Sequence, residues 1–250
     1  MTEKAIESKK PTVICLLGMD FQEKPAPQLH FACTLQETAF LAAKLAGANI
    51  TGLEKKINIE FDNLKEIASR FRAERQPNQK YLHGLFSGGT LCYEAQCIWN
   101  EMLDQEVLSN APVNKKNKLR DSSHSEQHTA IDLGEEEFTI GRPHPMIDND
   151  LRIRRLLQES HDPEVAVIML DVVLGYGAHP DPASELGPAI TQAINNAAKE
   201  SRHLAIIASV IGSENDPQGL LHTENVLQAA GAVVCQSNAA AARLTGMIIS

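Results

Sequence analysis

Residues 84–90 read GLFSGGT, a pattern with chemical potential. An apolar run ends at Phe86, a serine and two glycines follow, and a helical pattern begins at once. A simple turn needs one glycine at most. Two in succession let the backbone approach a ligand, and a helix start behind them offers unpaired N–H groups and a partial positive charge. Ser87, Gly88, Gly89 and Thr90 are therefore candidates to hold a phosphate or a carboxylate. The plainer reading is a tight turn with close helix–strand packing. The stretch is not a P-loop, because no lysine follows the glycines. Nor is it a G-x-S-x-G elbow, because a framing glycine is missing at the right offset.

Three further stretches carry similar residues. Arg142 and His144 flank Pro143, and Pro145 follows. The prolines stiffen the backbone. Arg142 is placed to clamp a carboxylate or phosphate with paired hydrogen bonds, and His144 to act as general acid or base near neutral pH. The alternative is a rigid loop with an exposed ion pair. Asp148 lies just beyond. DVVLGYGAHPDP then supplies Asp171, Gly175, Tyr176, Gly177, His179 and Asp181. Gly175 and Gly177 form two-thirds of a dinucleotide fingerprint whose third glycine is missing. Asp171 either caps a turn or faces a site. IGSENDPQG adds Ser213, Glu214, Asn215 and Asp216; Ser213 and Asp216 are predicted to cap a helix starting near Pro217. His124, His128, His161, His203 and His222 have no such context and read as surface residues. No cluster of His, Cys and Asp has metal-ligand spacing.

Elements must exist to bring these stretches together. TVICLLGM (12–19) predicts a buried strand, and LQETAFLAAKLAG (35–47) a helix stopped by Gly47. Residues 62–75 predict a helix capped by Asp62, with Leu64, Ile67, Ala68 and Phe71 on one face. A strand over 82–86 and a helix over 89–108 follow. Residues 109–130 are polar and unpatterned and read as a long loop around the basic run Lys115, Lys116, Lys118 and Arg120. Beyond it come a helix (147–160), a strand (165–170), a helix (185–200) with Pro188 in its first turn, a strand (204–212), a helix (217–230), a strand (232–235) and a helix (238–246). Continuous apolar strands alternating with helices predict an α/β fold, a three-layer flavodoxin-like open parallel sheet over 81–250. Residues 1–80 read as a partial α/β segment. Ligands of such sheets bind beyond the carboxyl ends of the strands, so the four stretches are expected at one edge.

Composition narrows the partners. The formal net charge of -9 over 250 residues argues against nucleic acid. Five cysteines, none in a CxxC pair, suit a reducing cytoplasm, with Cys15 and Cys235 inside apolar runs. The charged start MTEKAIESKK has no apolar stretch behind it that reads as a signal peptide, and no segment approaches the roughly 20 apolar residues of a membrane span. A cytoplasmic location is expected.

Taken together, SGGTLCYEA (87–95), DLGEEEFTIGRPHPMIDNDLR (132–152), VIMLDVVLGYGAHPDPA (167–183) and SENDPQG (213–219) resemble the C-terminal half of the FdrA family, related to the succinyl-CoA synthetase α subunit. Residues 11–47 resemble the closing strand and helix of a preceding, similar domain. The resemblance implies a CoA-ligase-type domain handling an acyl or carbamoyl phosphate. It implies a subunit of oxamate carbamoyltransferase, which converts oxalurate and phosphate to oxamate and carbamoyl phosphate in allantoin degradation. The alternatives are an acyl-CoA synthetase subunit and a non-catalytic assembly or regulatory subunit. Succinyl-CoA synthetase uses a phosphorylated histidine in a glycine-flanked loop; the matching SENDPQGLLH has His222 only beyond the loop, so that histidine is not carried over. The expected ligand is phosphate or an acyl or carbamoyl phosphate, with no covalent cofactor and no metal. CoA or a nucleotide is expected only through a partner subunit carrying a CoA-binding-type domain.

Overall fold

The computed structural model describes residues 2–18 and 26–250. Short helix α1 (Thr2–Glu7) leads into β1 (Thr12–Cys15) and β2 (Leu29–Ala32), which pair in parallel as a sheet of their own. The strand expected over 12–19 is thus shorter, and its last residue, Met19, lies outside the described residues. Helices α2 (Leu35–Leu45) and α3 (Thr51–Glu74) follow. Thr34 caps α2 by accepting from the Glu37 N–H. Gly47 sits just past its end at φ 82°, a left-handed conformation that favours glycine.

The main sheet has six parallel strands: β3 (Tyr81–Phe86), β4 (Leu108–Ser109), β5 (Thr129–Asp132), β6 (Val165–Val173), β7 (Ala205–Ile211) and β8 (Val233–Cys235). Their spatial order is β4-β5-β3-β6-β7-β8. Leaving aside two-residue β4, this is the 2-1-3-4-5 order of flavodoxin-like sheets, whose ligand crevice falls where the order reverses, between β3 and β6. Helices α6 (Asp150–Ser160), α7 (Pro182–Lys199) and α8 (Leu220–Ala229) cover one face. Helices α4 (Gly89–Met102) and α9 (Asn238–Ile249), with the second half of α3, cover the other. Four-residue α5 (Glu136–Thr139) lies beyond β5. The core is therefore two-sided, and the first eight residues of β6 are all buried. Trp99 ties the second face together, its indole N–H donating to the Ala242 carbonyl at 2.9 Å. Among the described residues no helix is long and apolar enough to cross a membrane.

Several expectations change. Asp62 does not cap a helix: α3 runs from Thr51, and its early turns give no sequence signal because most of their residues are exposed and carry no core stripe. The loop expected over 109–130 contains a 3-10 turn at Lys115–Asn117 and all but the last two residues of β5, a central strand buried throughout. The helix expected from 147 starts at Asp150, and the one expected from 217 starts at Leu220. Ser213 and Asp216 cap neither: the Ser213 N–H donates to Asp216 Oδ2 at 2.6 Å and closes a turn ahead of α8. Pro188 lies inside α7, whose first residue is Pro182. His128 is buried rather than superficial; it accepts from the Leu82 N–H at 3.3 Å, and burial, with His83 nearby, lowers its pKa to about 4.

Candidate functional site

The carboxyl ends of β5, β3 and β6 lie side by side, and each carries a polar group: Asp132, Ser87 and Asp171. Asp171 is fully buried. It accepts the Ser87 N–H at Oδ1, at 2.7 Å, and the Ser87 hydroxyl at Oδ2. Arg152 of α6, also buried, donates from Nη2 to the Asp171 carbonyl and lies 3.4 Å from Oδ1. Burial pulls the Arg152 guanidinium down and the Asp171 charge opposes it. A buried charge needs such a partner. Asp171 therefore holds the junction between β3 and α4 in place rather than facing a ligand, and the Ser87 hydroxyl and N–H turn inward with it.

What faces outward is the first turn of α4. Gly88 is its N-cap with no side-chain cap. The N–H groups of Gly89, Thr90 and Leu91 donate to none of the described residues, the condition in which a helix start attracts an anion. Gly88 is in extended backbone, so conformation does not demand glycine there. Space does at Gly89: a Cβ would lie 3.0 Å from Asp132 Oδ2.

Asp132 is 2% exposed. Asn110 brackets its backbone, accepting its N–H at 2.8 Å and donating to its carbonyl at 2.9 Å, while also donating to Glu137. Oδ1 accepts the Gly134 N–H at 2.8 Å, and Oδ2 accepts from none of the described residues. Burial, with the charges of Glu135 and Asp171, raises the carboxyl to about 6 despite the Gly134 hydrogen bond. Gly134 is the tightest point: a Cβ would meet the Ser87 carbonyl at 2.7 Å, His144 Nε2 at 2.9 Å and Asp132 Oδ1 at 3.1 Å. The imidazole of His144 and the carboxylate of Asp132 thus flank one spot beside the start of α4. His144 Nδ1 accepts the Met146 N–H at 3.2 Å, which leaves Nε2 as the protonated nitrogen of the neutral ring.

The remaining loops join the same rim through backbone contacts. The His179 N–H donates to the Met146 carbonyl at 2.7 Å. Gln218 accepts the Gly175 N–H and donates to the Gly175 and His179 carbonyls. His179 Nε2 lies 3.3 Å from Glu185, which also accepts from Asn149. Asp181 caps α7 by accepting the Ser184 N–H, and Asp148 accepts the Asp150 N–H ahead of α6. Thr90, Tyr176, Gly177 and Glu214 are exposed, Tyr176 to 91%. Arg142 is exposed as well, and its guanidinium has no hydrogen-bond partner among the described residues. Nor do three His, Cys, Asp or Glu side chains of those residues gather so as to hold a metal ion.

Asp132, Gly134, Asn110 and Arg152 join the site although neither type nor spacing marks them in the sequence. TAIDLG carries a trace, an acidic residue closing a short apolar run two places before a glycine, but the polar flanks hide the strand.

A parallel sheet in flavodoxin order, with a glycine-rich helix start at its reversal point, fits the match to known families: residues 85–248 correspond to the CoA-ligase family, and the chain belongs to it. Among curated proteins it is similar to the uncharacterized protein YahF of Escherichia coli (strain K12), 39% identical over 239 residues. That alignment takes in 94% of this chain and 45% of YahF, so the chain spans about half the length of that relative.

Proposed function

We propose that the chain is a ligase-type subunit that binds the phosphoryl group of phosphate or of an acyl or carbamoyl phosphate at the start of α4. The observation carrying this reading is the unpaired first turn of α4, set between His144 and Asp132 and fixed from below by the Ser87–Asp171–Arg152 contacts. His144 Nε2–H would donate to the bound group, and the α4 N–H groups would neutralise charge as it develops on oxygen. Exposed Arg142, in the same loop as His144, would take the carboxylate of an oxamate-like co-substrate. The FdrA resemblance favours carbamoyl transfer. CoA and nucleotide chemistry would come through a partner subunit.

Calorimetric titration of the chain with inorganic phosphate and with carbamoyl phosphate tests this. Saturable binding is expected, and Thr90→Asp should abolish it. That exposed position tolerates a carboxylate at a helix start while repelling an anion there. Absence of binding, or an unaffected Thr90→Asp variant, would refute the reading. An acyl-CoA ligase working through a phosphohistidine predicts label retained from ATP on this chain. The loop in question disfavours it, since it closes on its own Asp216 and His222 is exposed on α8.

A further inference from the structure

The start of α4 is not a plain anion site, because a carboxylate stands in it. Asp132 Oδ2 is directed at the first residue of the helix, 3.0 Å from the position of a Gly89 Cβ, and no described residue donates to it. Asp132 is 2% exposed, and Oδ2, unlike the side-chain atoms wholly shut off without a partner, keeps contact with solvent. An acceptor without a protein partner, carried by an almost wholly buried side chain and open beside unpaired donors, marks a place for a ligand that accepts and donates at once. We propose that the site selects a protonated tetrahedral oxyanion, hydrogen phosphate, whose P–OH donates to Asp132 Oδ2 while its other oxygens accept from the α4 N–H groups. This rests on the phosphate-site reading above and adds the ligand's protonation state to it.

A fully ionised oxyanion of the same shape, such as sulfate, has no proton to give. It would set its charge against the Asp132 carboxylate and leave Oδ2 unsatisfied, the kind of mismatch that lets polar sites reject close analogues strongly. The Oδ1 hydrogen bond to Gly134 keeps the carboxylate from turning away. The titratable groups around Asp132 are Glu135 next along the chain, Asp171 on β6, Tyr93 and Cys92 on α4, Glu137 through Asn110, and His144 across Gly134. The carboxylates among them add negative charge, so none relieves the conflict that sulfate meets.

The test is calorimetry of the whole chain with phosphate, arsenate and sulfate at pH 7.5 and constant ionic strength. Hydrogen phosphate and hydrogen arsenate should bind alike, roughly tenfold or more tightly than sulfate. In Asp132→Asn the amide keeps the Gly134 contact through its oxygen and turns its NH2 to the ligand, so the preference should vanish and sulfate binding should strengthen. Wild-type protein that binds sulfate as tightly as phosphate would overturn this proposal and leave the anion site standing. Wild-type protein that binds none of the three would remove the site itself. The wild-type comparison decides without the variant, and a thermal melt checks that Asp132→Asn is folded.

Discussion

β1 and β2 pair in parallel with α2 following them, much as β6 and β7 pair with α7 between them. Yet every residue of β1 is half-buried, whereas β6 is buried through its first eight residues. A two-stranded sheet has no second neighbour on either side and covers little apolar surface. Six of the large apolar residues that remain exposed, Ile6, Leu16, Leu35, Leu53, Ile59 and Phe61, fall in this first quarter of the chain. A cavity of about 510 Å³ lies where α2 and α3 meet the main sheet, lined by Leu35, Phe40, Leu53, Ile57, Leu91 and Ile211. The second half of α3 is better held: Arg75 donates to the Ile248 and Ile249 carbonyls at the end of α9. Similar local rules thus give a rigid platform in one region and a loosely packed extension in the other, and the candidate site stands on the platform.

The sharpest way to break this contrast is to attack the platform's buried charge. Asp171→Ala leaves Arg152 buried without its partner and frees Ser87, and should cost about 3–5 kcal/mol in urea unfolding. A loss below about 1 kcal/mol would mean that the Arg152 contact is not held in solution. Next comes a matched pair: Ile168→Ala in β6 should cost about 2–5 kcal/mol, and Ile14→Ala in half-exposed β1 less than about 1 kcal/mol. Equal losses would erase the distinction between the sheets.

Glycine gives a contrast of sign. A Cβ on Gly84 would sit 2.4 Å from Phe86 and 2.7 Å from Trp99, whereas one on Gly52 meets nothing within 4 Å. Gly84→Ala should therefore destabilise by about 1–3 kcal/mol, and Gly52→Ala, inside a helix, should stabilise by up to about 1 kcal/mol. Thermal melts of the two variants check both.

A last contrast is a pH dependence confined to the platform. Burial holds the Asp132 carboxyl at about 6 in the folded protein, above the 3.8 of an ordinary aspartate. Between those values the native state holds more protons than the unfolded one. Its contribution is thus complete below pH 4 and is lost as pH rises through 6, a decline on the order of 3 kcal/mol. Asp132→Asn should flatten that decline. Hydrogen exchange should show it in β3, β5 and β6 and leave β1 and β2 unchanged.

The platform was legible in sequence where strands were continuous apolar runs: β6, β7 and β3 announce themselves, and the glycine stop after α2 is where the pattern puts it. β5 was not, because Thr129 and Asp132 at its ends are polar residues whose burial is satisfied locally by the Glu126 carbonyl for Thr129 and, for Asp132, by Asn110, distant in sequence but near in space. The same holds for the site. Ser87, Gly88, Gly89 and His144 stood out by type and spacing, but the inward turn of Asp171 and the intrusion of Asp132 depend on which strands are neighbours, and that order is set by packing. Arg142 shows the converse, a residue of conspicuous chemistry that the fold leaves in solvent.

Ser87 is held from both sides, its N–H and hydroxyl by Asp171 and its carbonyl against Gly134. A junction gripped in this way has no slack to mould itself around an incoming molecule. Its donors are already aimed before any encounter, so recognition there should be quick, unforgiving of shape, and accompanied by little loss of chain freedom.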